Sequence, residues 1–402
     1  MMHDFGVSKN HTVILDLPLS LTPFNLLKNQ PVVFYEPEKP ARFGVFPRHK
    51  PGDAKWFETA GCCIFHTANT WDEYNSSGET IAVNMLACRL TSASLVFSAG
   101  NITIPPYRKK QVSIKPRRPM SFFVKYDEDE IVDVEKLWPS ENTPLLKPQK
   151  ATAEASPKTT SHISEDDEDQ CRLYHYRFSL MNDCPTITHQ YALSSIPFEF
   201  PTFNPAYEMS FARYIYGCST SNETFGAALG KATKIDVLVK MDIQTLLARS
   251  YAFPPKSITG CVDSRKISEI LATDNTEDHI HTFKMPPNYY AQEARFVSRY
   301  NPVSEDDGYL LFYAFDESQV EDSGVCRADA VSELWIIDAK NMRDIIAKIW
   351  LPQRVPYGLH GNWFTEEQIA SQRGIDRVRA MPDGSQDSVG KKVKRALISA
   401  LR

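Results

Sequence analysis

Three of the ten histidines stand in company that could serve a metal ion. His3 lies in Met1-Met2-His3-Asp4-Phe5. His66 follows the apolar run Cys62-Cys63-Ile64-Phe65, and His360 follows a turn in Pro356-Tyr357-Gly358-Leu359-His360-Gly361-Asn362-Trp363. No HxxxH or HExxH pair is present, so spacing gives no local ligand set. A site would have to be assembled from residues far apart in the chain. A lone histidine on an apolar strand is more often a satisfied core residue than a ligand, and both readings stand at this level. Two glutamates join them. Glu199 is flanked by Phe198 and Phe200, and Glu293 precedes Ala294-Arg295-Phe296-Val297. A carboxylate between two phenylalanines either turns to solvent on an edge strand or is buried with a partner, because unpaired burial is costly. The free ring N–H of a liganding histidine is one such partner. A glycosidase acid and nucleophile is another reading of the same two carboxylates.

The elements that must position these residues read mostly as short strands. Thr12–Leu15, Val32–Tyr35, Arg42–Phe46, Cys62–Phe65, Ile81–Leu90, Arg172–Leu180, Met209–Tyr216 and Ile235–Val239 are apolar or aromatic runs bounded by turn residues. Tyr309–Phe315, Glu333–Asp338 and Ile346–Leu351 follow at even spacing. Such a pattern predicts an all-β sandwich, barrel or propeller. The 27 prolines agree, since proline suits turns and strand edges better than helix interiors. No strict internal repeat is visible. A propeller would bring distant histidines together, because its successive blades all start at one axis.

Composition narrows the class. Apolar residues make up 42% and charged residues 24% of the 402, enough for a sizeable core. A net charge of −5 argues against nucleic acid as a partner. No apolar run approaches the roughly 20 residues of a membrane helix. The eight cysteines form no CxxC pair, and the first residues lack the basic and apolar stretches of a signal peptide, so a reducing, cytoplasmic setting is expected. Residues 127–170 are rich in Asp, Glu, Ser, Thr, Lys and Pro and end in an acidic run, which reads as a mobile insertion with Trp138 as a candidate local anchor. From residue 365 onward the pattern turns helical, starting at Thr365-Glu366-Glu367. Val393, Ala396, Leu397, Ala400 and Leu401 form an apolar stripe ringed by lysines and Arg395. That stripe could pack on its own domain or make a peripheral membrane contact.

Several strings, taken together, resemble the carotenoid cleavage oxygenase family, which also holds stilbene-cleaving enzymes and retinoid isomerases. They are MMHDF with TVILDLPL, ARFGVFPR, IFHTANTWDE, FEFPTFNP, EARFVSR with EDDGYLL, SELWIIDAKNM and LPQRVPYGLHGNW, in family order from residue 1 to about residue 364. The acidic insertion and the FTEEQ segment look more like fungal members that cleave torulene or apocarotenoids. The resemblance implies a seven-bladed β-propeller with iron(II) on its axis, bound by four histidines. His3, His66 and His360 match three of these ligands; Glu199 and Glu293 match two of three glutamates that orient them. It implies a dioxygenase that adds dioxygen across a conjugated C=C bond of a hydrophobic polyene. The family's first histidine and first glutamate lie upstream of the MMHDF-type stretch. The expectation is therefore a form lacking its N-terminal blades, spanning 1–364 before a helical tail at 365–402, and cleaving poorly on its own. A stilbene substrate and a non-catalytic propeller remnant are the competing expectations.

Overall fold

The computed structural model describes residues 2–22, 24, 33–36, 38–90, 170–181, 184–222, 225, 234–358, 360–372 and 374. In chain order its strands are β1 (Gly6–Val7), β2 (His11–Asp16), β3 (Leu19–Leu21), β4 (Val33–Tyr35), β5 (Ala41–Pro47), β6 (Lys55–Thr59), β7 (Cys63–Tyr74) and β8 (Thr80–Leu90). Next come β9 (Cys171–Ser179), β10 (Thr186–Ser194), β11 (Glu199–Thr202), β12 (Tyr214–Ser219), β13 (Val237–Asp242), β14 (Cys261–Asp263) and β15 (Ile280–Lys284). The last are β16 (Tyr289–Ala291), β17 (Arg295–Ser298), β18 (Gly308–Asp316), β19 (Glu333–Asp338) and β20 (Ile345–Trp350). They form sheets of order β1-β2-β5-β6, β14-β10-β9-β8-β7, β11-β12-β13-β15 and β16-β18-β19-β20, with β17 also on β18, and a β3-β4 hairpin. Among the described residues only the β10–β14 pairing is parallel.

The four sheets stack face to face in that order. Val13, Phe43 and Phe57 of the first meet Met85, Tyr176 and Phe178 of the second. Leu86, Leu173 and Leu193 of the second meet Ile215, Val239 and Met241 of the third. Leu238 and Phe283 of the third meet Phe312 and Trp335 of the fourth. Each such side chain contributes about 1.5–3 kcal/mol when buried. The stacking explains why Ile81–Leu90 shows no polar alternation. In β8, Val83, Met85 and Ala87 serve one interface, while Leu86, Cys88 and Leu90 serve the next. The all-β, multi-sheet expectation thus holds. The described residues supply four sheets and a hairpin, so the seven-bladed ring is not assembled from them.

Three local expectations need correction. Cys62–Phe65 is only the start of a strand that runs on to Tyr74, so His66 is not at a strand end. The run Met209–Tyr216 is extended only from Tyr214, because Met209 sits at φ 61° just after a 3-10 turn over Pro205–Tyr207. The run Ile235–Val239 joins the ladder at Val237. Among the described residues three α-helices interrupt the β pattern: α1 (Ile243–Ala252), α2 (Ile267–Leu271) and α3 (Glu366–Ala370). In α1 the Asp242 side chain accepts from the Thr245 N–H, and Ile243, Leu246, Leu247 and Ser250 form the buried stripe. The expected start at Thr365 is met: its side chain and that of Gln368 cap α3 reciprocally. Residues 127–169, with Trp138, and the stripe Val393–Leu401 lie outside the described residues.

Candidate metal centre

The centre is built at two irregularities in the sheets. On β7, Ile64 pairs with Arg89 and Thr67 with Ala87, so one extra residue is inserted at Phe65–His66. Such a bulge re-aims side chains. It also takes the Phe65 carbonyl out of the ladder, and the His3 Nδ1–H donates to that oxygen at 3.0 Å. On β11, Glu199 pairs with Cys218 and Thr202 with Tyr216, so the same insertion recurs at Phe200–Pro201. Pro201 has no N–H to give the ladder. Phe200 is held at φ 52°, a strained region for a bulky residue, and its ring lies 5.2 Å from that of His66 and 6.0 Å from that of His360.

One ring nitrogen from each of His3, His66 and His360 lies within 4.8 Å of the others. The ring centroids of His66 are 5.1 Å from those of His3 and 5.0 Å from those of His360. Every Nδ1 faces an oxygen: the Phe65 carbonyl for His3, Glu199 Oε2 at 2.6 Å for His66, and Glu293 Oε2 at 3.3 Å for His360. Carbonyls and carboxylates only accept, so each Nδ1 carries the proton and each Nε2 presents a lone pair. The Nε2 of His66 is buried without a hydrogen-bond partner. A buried polar atom is normally paired, and a cation between the three rings would satisfy it. Neutral imidazoles of fixed tautomer suit a divalent transition metal. These residues therefore fit a metal ion, with His3, His66 and His360 as the ligands it would take.

Electrostatics supports the same picture. Burial pulls the His66 imidazolium down, but the hydrogen bond and charge of Glu199, with Asp4 and Glu293 behind it, outweigh that and raise its pKa above the ordinary value. The site thus attracts positive charge. Glu199 and Glu293 are each only 5% exposed. Besides its histidine, each also accepts a backbone N–H, from Phe200 at 2.6 Å and from Gly361 at 3.0 Å.

Sequence reasoning missed what holds the segments in place. Asp4 Oδ2 accepts from both the backbone N–H and the hydroxyl of Thr67, at 2.8 Å each, and so pins the His3 segment beside His66. Gly6 lets β1 lie close to β7: a Cβ there would come within 2.5 Å of the Thr70 hydroxyl. An open cavity of about 620 Å³, lined in part by Thr202, Phe203, Arg295, Phe296 and Trp363, adjoins the segment that follows His360.

Stacked sheets that bring together three histidines, each with Nδ1 on an oxygen acceptor, make an all-β, multi-sheet fold with a candidate metal site. The chain belongs to the retinal pigment epithelial membrane protein (RPE65) family, whose sequence model matches residues 1–365. It is 53% identical to the carotenoid dioxygenase carX of Gibberella fujikuroi over 384 residues, which is 95% of this chain and 53% of that protein. It is 28% identical to a carotenoid 9,10(9',10')-cleavage dioxygenase of Crocus sativus over 379 residues, covering 93% of this chain and 50% of the other. Among solved structures, cobalt-substituted Synechocystis ACO superposes with a TM-score of 0.53 at 19% identity, over 90% of this chain and 53% of that one. The chain spans about half the length of the curated relatives it matches.

Proposed function

We propose that this chain carries three of the histidine ligands of an iron(II) dioxygenase that cleaves a conjugated C=C bond of a carotenoid or apocarotenoid. The observation that carries the reading is the convergence of three imidazoles whose Nδ1 atoms are all engaged, leaving the buried, unpartnered Nε2 of His66 facing the other two rings. Identity of 53% to a protein named as a carotenoid dioxygenase supports the substrate class over a stilbene. Iron(II) bound there would supply dioxygen activation, and the net reaction places one oxygen atom on each carbon of the broken double bond to give two carbonyl products.

The chain's own residues have separate tasks. His3, His66 and His360 would hold the cation through Nε2, the nitrogen not engaged by an oxygen acceptor. Glu199 and Glu293 retain the Nδ1 protons of two of them, and the Phe65 carbonyl retains the third. Their negative charge compensates for a neutral ligand set. Phe200 walls the cluster with an apolar ring that excludes water from one side.

The test is anaerobic loading with iron(II), followed by dioxygen and a detergent-solubilised apocarotenoid or torulene. One iron per chain, lost in His66→Ala, supports the reading, and any aldehyde products should form slowly and depend on iron. Absence of bound iron, or products formed equally without it, refutes it.

A further inference from the structure

His360 is the least secured of the three histidines. Its side chain is 43% exposed, its contact with Glu293 is long at 3.3 Å, and the segment carrying it has no regular secondary structure. No β-ladder fixes that segment in register. Side chains from residues 292–295 do so instead. Gln292 donates to the Pro356 carbonyl at 3.0 Å and accepts from the Gly358 N–H at 3.3 Å. Glu293 accepts from the Gly361 N–H. Arg295 completes the set: its Nε–H donates to the Gly361 carbonyl at 2.6 Å, and its Nη2 lies 3.1 Å from Glu293 Oε1.

We infer that Arg295 is a positioning residue for His360, gripping both the glutamate that orients the imidazole and the peptide that follows it. The inference rests on the metal-site reading above. The geometry is specific to a guanidinium. A planar fork can bond a carboxylate and a carbonyl at once, which a lysine ammonium does less well. Glu293 Oε2 is committed to His360 and Gly361, so Oε1 is the oxygen left for Arg295, and fixing it sets the plane of the whole carboxylate. Glu199 has no such clamp. It is fixed from its own strand, with a shorter contact to His66. Arg295 therefore does for the irregular segment what the sheet does for β11. It acts through Glu293 and the Gly361 peptide and is not among the residues that would ligate a cation.

The experiment titrates cobalt(II), a spectroscopic stand-in for iron(II), into the full chain anaerobically and reads both affinity and visible absorption. In Arg295→Met, cobalt affinity should fall by about 10- to 100-fold, the size expected when support of a metal ligand is lost. Its absorption should resemble that of His360→Ala, and its thermal midpoint should stay near the wild-type value. Arg295→Lys should recover part of the affinity. Arg295→Met combined with Glu293→Gln should lose less than the sum of the two single losses, because both residues act on the placement of His360. Wild-type affinity and spectrum in Arg295→Met would overturn the inference, as would fully additive losses in the double variant. Failure of the wild-type chain to bind cobalt at all would sink the metal-site reading itself, and the inference with it. If Arg295→Met does not fold, Arg295→Gln carries the same test with less loss of packing.

Discussion

Glu199 Oε2 lies 2.6 Å from Nδ1 of His66, while Nε2 of the same ring is buried without a partner. One face of the imidazole is thus locked and the other left as a lone pair. Glu199→Gln keeps the shape but weakens the acceptor and removes its charge. Iron(II) or cobalt(II) affinity, measured by equilibrium competition with a chelator, should fall about 10- to 100-fold with little change in unfolding temperature. Unchanged affinity would make Glu199 an ordinary buried residue.

Lys240 and Asp306 form an ion pair at 2.7 Å with both side chains under 10% exposed, and the Lys240 ammonium also donates to the Lys340 carbonyl. Removing one partner leaves a buried charge uncompensated. Lys240→Met should therefore lower stability by about 3–5 kcal/mol in urea unfolding. A loss below about 1 kcal/mol would show that Asp306 finds another partner or water.

Asp263 gives the fold an acid sensitivity. Burial alone would raise its pKa, but hydrogen bonds from His279 and Arg265 outweigh that and hold it well below the usual carboxylate range. A depressed folded-state pKa stabilises above the unfolded value of about 3.9 and is lost as pH falls further. The unfolding temperature should start to drop below about pH 5 and go on falling past pH 3 toward the depressed folded-state value, and Asp263→Asn should flatten that dependence while lowering stability at pH 7. An identical pH profile in the variant would refute the assignment.

Among the described residues strand β20 ends its sheet, with Ile345, Ile346, Ile349 and Trp350 all exposed, Trp350 by 77%. Unpaired edges with apolar side chains recruit other chains. The protein should self-associate at micromolar concentration. Ile349→Lys with Trp350→Lys should shift it toward monomer in sedimentation velocity. A wild-type chain that stays monomeric, or association unaltered by the two lysines, would place the contact elsewhere.

How far the sequence anticipated this can be followed residue by residue. His3, His66 and His360 were chosen from ordered motifs; composition alone left each as a plausible core residue, since 63 and 294 positions separate neighbours in the set. Glu199 between two phenylalanines signalled a need for a partner, and the structure supplies His66. The acceptor for His3 was not legible, because it is a backbone carbonyl released by a bulge, and a bulge depends on the register between strands. Arg295 and Gln292 were likewise silent: the peptide groups they hold lie more than 60 residues away. Helix α1 was legible and overlooked. An aspartate cap followed by apolar residues at 243, 246 and 247 is a helical pattern, obscured by the strands on either side.

One cation should bind where the imidazoles of His3, His66 and His360 meet. Crystals soaked anaerobically with iron(II) and measured by anomalous diffraction at the iron edge test it most directly. A single strong peak is expected about 2.0–2.1 Å from Nε2 of His3, His66 and His360, the usual distance for imidazole on zinc(II), and it should be lost in His66→Ala. Iron bound elsewhere, or three histidines left metal-free at saturating iron, would contradict it.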